Sequence, residues 1–168
     1  HAQAGVEACD DGNDNANDLC TNNCRSTLTH LATGYRASCF LQAGVPYCMG
    51  YNTNGSVGDG TRVHRATPTR VLGLSGVTAL ATAHNSHCAL KADRTVWCWG
   101  YNYYGAVGDG TTTHRDRPVD VVGLYDVVEI AGGGTHYCAR RSDGTMWCWG
   151  SNGHGQLGDG TTTHRSVP

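Results

Sequence analysis

The residues of this chain best suited to chemistry are its cysteines, histidines and carboxylates. Nine cysteines occur in 168 residues. Zinc sites use short C-x2-C spacings, often with histidine at fixed offsets. Six of these cysteines instead fall in three pairs, Cys39/Cys48, Cys88/Cys98 and Cys138/Cys148, nine or ten residues apart. That spacing does not suit a zinc knuckle. It suits disulfides, and so an oxidising compartment, extracellular or on a cell surface. Cys9, Cys20 and Cys24 make an odd set. One internal bridge and one leftover thiol are expected there, the leftover pairing with residues before His1 or with another chain.

His64, His114 and His164 recur behind Asp59, Asp109 and Asp159. Such pairs could hold a metal or act as acid and base. A catalytic group need occur only once, in one cleft, so a pair present in every copy reads as a loop hydrogen bond repeated with its loop. No G-x-S-x-G nucleophile elbow occurs, and no catalytic residue is assigned. Near the start, Asp10, Asp11, Asn13 and Asp14 offer oxygens of the kind calcium prefers. Ala16 stands where an EF-hand needs glycine, and no glutamate follows at the twelfth position. Weak or absent calcium binding is therefore expected, with a solvated turn as the alternative, and no other cofactor is implied. Tyr51, Tyr101, Tyr103 and Tyr104 sit among glycines and polar residues, with His154 in the third copy of the same loop. Aromatics so placed are favoured anchors in protein interfaces, and packing of each loop against its own part of the fold is the alternative.

These residues are carried by a repeat of about 50 residues. "VWCWGYNYYGAVGDGTTTHRDRP" (96–118) matches "MWCWGSNGHGQLGDGTTTHRSVP" (146–168) and "PYCMGYNTNGSVGDGTRVHRATP" (46–68). A second matching segment precedes each: "LATGYRASCFL", "LATAHNSHCAL" and "IAGGGTHYCAR". A three-residue turn, Ala92-Asp93-Arg94, predicts a hairpin in which Lys91 closes against Thr95 and Cys88 faces Cys98. In the third copy Gly144 holds the left-handed position that Arg94 tolerates less well. The first copy is one residue shorter. A two-residue loop, Ala43-Gly44, again sets Cys39 opposite Cys48. In both hairpins the cysteines occupy a non-hydrogen-bonded pair, where side chains come closest. A glycine-rich loop follows each hairpin, then a strand predicted as "PVDVVGL" with Pro118 at its first residue or on an edge. Trp99, Trp149 and Met49, beside the paired cysteines, are expected in the core between repeats rather than around a ligand.

Composition agrees with many short strands. Charged residues make up 15% of the chain, and 24 residues are glycine. The net charge of −2 shows no basic stripe, which argues against nucleic acid. No apolar run approaches the ~20 residues of a membrane span.

The motif "HCAL…DGTVWCWGxNxxGQLGDGTTxxRxxPVxV", best carried by residues 136–168, resembles the regulator of chromosome condensation (RCC1) repeat family. The resemblance covers residues 28–168 and implies an all-β fold of propeller blades, usually seven in a closed ring. The cysteine pairs are similar to those of a secreted bacterial branch, one member of which inhibits β-lactamases by binding them. The eukaryotic founder exchanges nucleotide on a small GTPase. That role is disfavoured here, because its partner lives in a reducing compartment. Residues 7–24, "EACDDGNDNANDLCTNNC", resemble part of a myxobacterial cysteine-rich repeat.

The expected organisation is a cysteine-rich segment over residues 1–25 and blade repeats over 26–75, 76–125 and 126–168. The last repeat is expected to be incomplete at its C-terminal end. Three such repeats form an open or partial propeller or solenoid whose terminal faces seek a partner. The function expected is non-catalytic protein–protein binding. The partner is either another protein or copies of the chain itself, joined end to end as a ring or filament. A fragment of a longer secreted propeller is the alternative.

Overall fold

The structure is a computed structural model and describes residues 28–168. It contains strands and turns only. Three antiparallel sheets follow one another along the chain. Blade 1 comprises β1 (Leu28–Thr33), β2 (Ala37–Gln42), β3 (Val45–Gly50) and β4 (Arg65–Arg70). Blade 2 comprises β5 (Val77–Ala83), β6 (Ser86–Lys91), β7 (Val96–Gly100) and β8 (Arg115–Asp120). Blade 3 comprises β9 (Val127–Gly132), β10 (His136–Arg141) and β11 (Met146–Gly150), with a single bridge from Gly150 to Arg165 beyond them. Each sheet is a meander, with neighbouring strands consecutive in sequence. The sheets do not close into a ring.

The hairpins have the expected register. Gln42 pairs with Val45 and Cys39 with Cys48, across a turn whose two residues, Ala43 and Gly44, both have positive φ. Such a turn matches the twist of the strands it joins. Leu90 pairs with Val96 and Cys88 with Cys98, while the Lys91 amide donates to the Thr95 carbonyl at 3.0 Å. Arg94 has φ 65° and Gly144 φ 85°, the same left-handed turn built from unlike residues. All three cysteine pairs are disulfides with Cα atoms 4.1 Å apart.

One element differs from its sequence expectation. The fourth strand of blade 2 runs over Arg115–Asp120 instead of starting at Pro118. Arg115 pairs with Gly100 and Val119 with Cys98, and the register shifts between them. As an edge strand it tolerates a proline in its middle, because only one of its sides is bonded. Val121 and Leu124 leave the sheet and turn down into the core.

Side chains alternate between the faces of each sheet, and the core lies between blades. Cys39, Leu41, Cys48, Val57, Val71 and Leu74 of the first unit meet Val77, Ala89 and Trp99. The same positions one repeat later, among them Cys88, Leu90, Val107, Val121 and Leu124, meet Val127, Ala139 and Trp149. Each disulfide of blades 1 and 2 thus faces the following blade. The tryptophans act as pegs. Trp99 Nε1 donates to the Ser56 carbonyl at 3.0 Å, and Trp149 Nε1 to the Ala106 carbonyl at 2.9 Å. Glycine is required beside each peg, because a Cβ at Gly58 or Gly108 would lie 2.9 Å from the indole nitrogen. His87, fully buried against Trp99, has no partner for either ring nitrogen. Burial pushes its pKa down to about 4.

Candidate functional site

The loop after the third strand of each blade is held by one asparagine. Asn52 is buried, and its side-chain oxygen accepts the Val57 amide at 2.8 Å. Its Nδ2 donates to Asp59 and to the Thr61 and Val63 carbonyls. Its own backbone amide donates to His64 Nδ1 at 2.9 Å. Asn102 and Asn152 repeat the arrangement with His114 and His164. The recurring aspartates close the same loops. Burial raises the pKa of Asp59, but hydrogen bonds from Thr61, Arg65 and Asn52 outweigh it and hold the carboxyl below its ordinary range. Arg65 reaches Asp59 at 2.6 Å, as Arg115 reaches Asp109. Burial, with Arg62 nearby, lowers the pKa of His114, which keeps Nδ1 free to accept. Nδ1 of each histidine and the carboxylate of each aspartate are therefore engaged in holding the loop. Among the described residues no group of three metal-ligating side chains converges. The calcium candidates Asp10, Asp11, Asn13 and Asp14, and Cys9, Cys20 and Cys24, lie outside the described residues.

This frame presents aromatic rings. Tyr51 stacks on His64 with centroids 5.0 Å apart, and Tyr101 on His114 at 5.1 Å. Tyr104 crosses from the loop of blade 2 to His164 of blade 3, at 4.7 Å. Tyr103 meets Tyr101 and Tyr104 and remains 64% exposed. Burial, with the two neighbouring tyrosines, raises the pKa of the Tyr101 phenol.

The turns between the first two strands of each blade complete the face. Tyr35 donates its backbone amide to the His84 carbonyl at 2.8 Å, and His84 does the same to Gly134 at 2.7 Å. These bonds stitch the three turns together, and the Tyr35 and His84 rings stack at 4.8 Å. Between turns and loops lies a cavity of about 500 Å³. The turns line it with Tyr35, Arg36, His84, Asn85 and Thr135, and the loops with Tyr51, Asn54, Tyr101 and Tyr104. Three of the four tyrosines singled out in the sequence thus meet at one place, with Tyr103 beside them. His154 does not line the cavity; its backbone amide is held by Gln156.

Sequence reasoning passed over the turn residues. The signal was present, because "GYRA", "AHNS" and "GGTH" differ where the flanking residues of the repeat agree.

Models of the regulator of chromosome condensation (RCC1) repeat match residues 93–140 and 127–156. No curated protein matches the sequence. Among solved structures, human WBSCR16 is 27% identical with a TM-score of 0.74, over 84% of this chain and 37% of its own. Prp20p from Saccharomyces cerevisiae is 25% identical with a TM-score of 0.68, over 82% of this chain and 36% of its own. The ectodomain of the Physcomitrella patens receptor kinase CR4, 24% identical with a TM-score of 0.52, covers 76% of this chain and 31% of its own, and is alike in fold alone. Residues 93–156 therefore match the RCC1 repeat, the fold is propeller-like, and the chain spans little more than a third of the length of the first two structures.

Proposed function

We propose that the chain is a non-catalytic, extracellular binding module that engages a protein partner through the aromatic loop face. The observation that carries this reading is the convergence of Tyr51, Tyr101 and Tyr104 on one cavity, with Tyr103 projecting beside it. Rigid tyrosines on a fixed frame lose little conformational freedom on binding, as protein-recognition surfaces require. Prp20p, whose solved structure is described with its binding to Gsp1p and histones, supports a protein partner. The disulfides support an oxidising location, and with it the secreted bacterial branch of the family. The test is alanine substitution of each tyrosine, read as affinity for the protein that the wild-type chain captures from the extracellular fraction. Tyr101→Ala and Tyr104→Ala are expected to weaken binding by about 2 kcal/mol or more, the range of interface anchors. Tyr125→Ala, on the linker into blade 3, serves as the control and leaves it unchanged. Equal affinity for all variants refutes the reading.

End-to-end association with copies of the chain is a second reading, favoured by the outer face of blade 3. There the disulfide Cys138–Cys148 is only half-buried and Met146 is 69% exposed, whereas the matching Cys88, Cys98 and Val96 are buried. A second copy would bring blade 1 to this face, with Met49 at the position of the tryptophan pegs. Met49 has no N–H for the carbonyl of Gln156, and the exposed pair Arg140–Glu129 stands where blade 2 has Leu90 and Ala79. Such a contact is weaker than those between the blades of one chain. Sedimentation velocity across a hundredfold concentration range tests it, and a monomer throughout refutes it.

A further inference from the structure

The cavity that the three blades share goes beyond the protein-binding reading. We propose that it is a saccharide subsite that takes a pyranose carrying a carboxylate. Its walls are aromatic rings, amides, hydroxyls and one guanidinium, with no Val, Leu, Ile or Met side chain among them. A leucine- or valine-type peptide anchor would find no aliphatic wall here, whereas a proline-rich peptide also takes aromatic grooves and is the competing occupant. A sugar needs flat rings for its C–H faces and planar amides for its hydroxyls. Tyr35 and His84 stack on each other, near-parallel at 16°, and both are exposed at the rim.

The polar groups are specific. Asn85 is 5% exposed and lines the cavity, yet its side-chain oxygen has no hydrogen-bond partner. A buried amide oxygen left so is costly, and Asn85 gains a partner once its side chain turns toward a ligand hydroxyl. Arg36 is the one charged residue of the lining. Its guanidinium lies 5.0 Å from the Tyr35 ring and 5.6 Å from the Tyr51 ring, and it forms no ion pair with a described carboxylate. A guanidinium held between two rings, without an acid, is a fork set for an incoming carboxylate.

The experiment titrates the whole chain, by calorimetry and saturation-transfer NMR, with oligosaccharides of glucuronic and galacturonic acid. Their neutral glucose and galactose counterparts and a proline-rich decapeptide run beside them. A uronate oligosaccharide is expected to bind about tenfold more tightly than its neutral counterpart, the scale of one charge-assisted hydrogen bond. Arg36→Gln removes that preference, Arg36→Lys keeps part of it, and Tyr35→Ala weakens both sugars. Both positions are exposed turn side chains, and circular dichroism confirms that the variants fold. Failure of every uronate to bind overturns the proposal. So does a preference that survives Arg36→Gln, or binding of the peptide alone. None of these outcomes decides the protein-binding reading, which is judged separately by the affinity of the Tyr101→Ala and Tyr104→Ala variants for a captured protein.

Discussion

Replacing Trp99 by phenylalanine tests whether the blades are held by their tryptophan pegs. The side chain is completely buried in the cluster between blades 1 and 2, and its indole nitrogen donates to the Ser56 carbonyl at 3.0 Å. Phenylalanine keeps the aromatic ring but removes the donor. The lost hydrogen bond costs about 1 kcal/mol, and the stranded carbonyl raises that figure. The smaller ring also gives up apolar burial equivalent to one or two methylenes, at about 0.8 kcal/mol each. The sum is about 2–3 kcal/mol. Urea unfolding followed by circular dichroism, with the disulfides intact, measures it as a lower midpoint at unchanged slope. Trp149→Phe is expected to cost a similar amount, because its bond to Ala106 repeats the contact one blade later. Trp147→Phe is the control. That ring is 39% exposed and donates only to the hydroxyl of Thr145 in its own hairpin. It should change stability by less than about 0.5 kcal/mol, as surface substitutions do. Equal effects at positions 99 and 147, or a loss at Trp99 below about 0.5 kcal/mol, would refute the peg.

Three further outcomes are expected. Removing the Cys88–Cys98 disulfide as a double alanine variant should cost about 2–3 kcal/mol by loop entropy, and peptide mapping without reductant should recover all three hairpin bridges. Arg94→Gly should stabilise by about 1 kcal/mol, because glycine takes the left-handed φ of 65° without strain; a lower melting temperature would contradict this. Stability should also depend on histidine protonation. The unfolded His87 imidazole titrates near 6.5 and the buried one at about 4, so the unfolded chain binds more protons in between. The contribution is complete above pH 6.5 and is lost as pH falls toward 4, by about 3 kcal/mol at about 1.4 kcal/mol per unit. The lowered pKa of His114 acts in the same direction. Urea midpoints between pH 7.5 and 4.5 that stay level would contradict this, and His87→Phe should flatten the slope.

The blades were legible because local constraints agree. Loop length changes by one residue between the first and second hairpins, and the cysteine spacing changes with it, so the pairing is kept. That coupling needs no tertiary contact, so it can be read from the residues. The edge strand Arg115–Asp120 was less legible, since proline at position 118 marks an edge but not where along the edge it sits. The tyrosines could be found because they lie in the repeated loop. Tyr35, Asn85 and Thr135 belong to turns about 50 residues apart, and only the stacking of blades brings them together. Nothing in the local pattern reports that juxtaposition. The buried His87 was likewise hidden, because its register partner Trp99 is visible in sequence while the neighbouring blade that covers both is not.

On the proposed reading the loop face, rather than a blade end, receives the partner. Hydrogen exchange of the chain alone and in complex tests it most directly. The account predicts protection of backbone amides at 34–36, 51–54, 84–85, 101–104 and 133–135, with the hairpin tips at 43–44, 93–94 and 143–144 unchanged. Protection confined to β9, β10 and β11 of blade 3, leaving the loops exchanging as in the free chain, would contradict it and place the contact on the blade end.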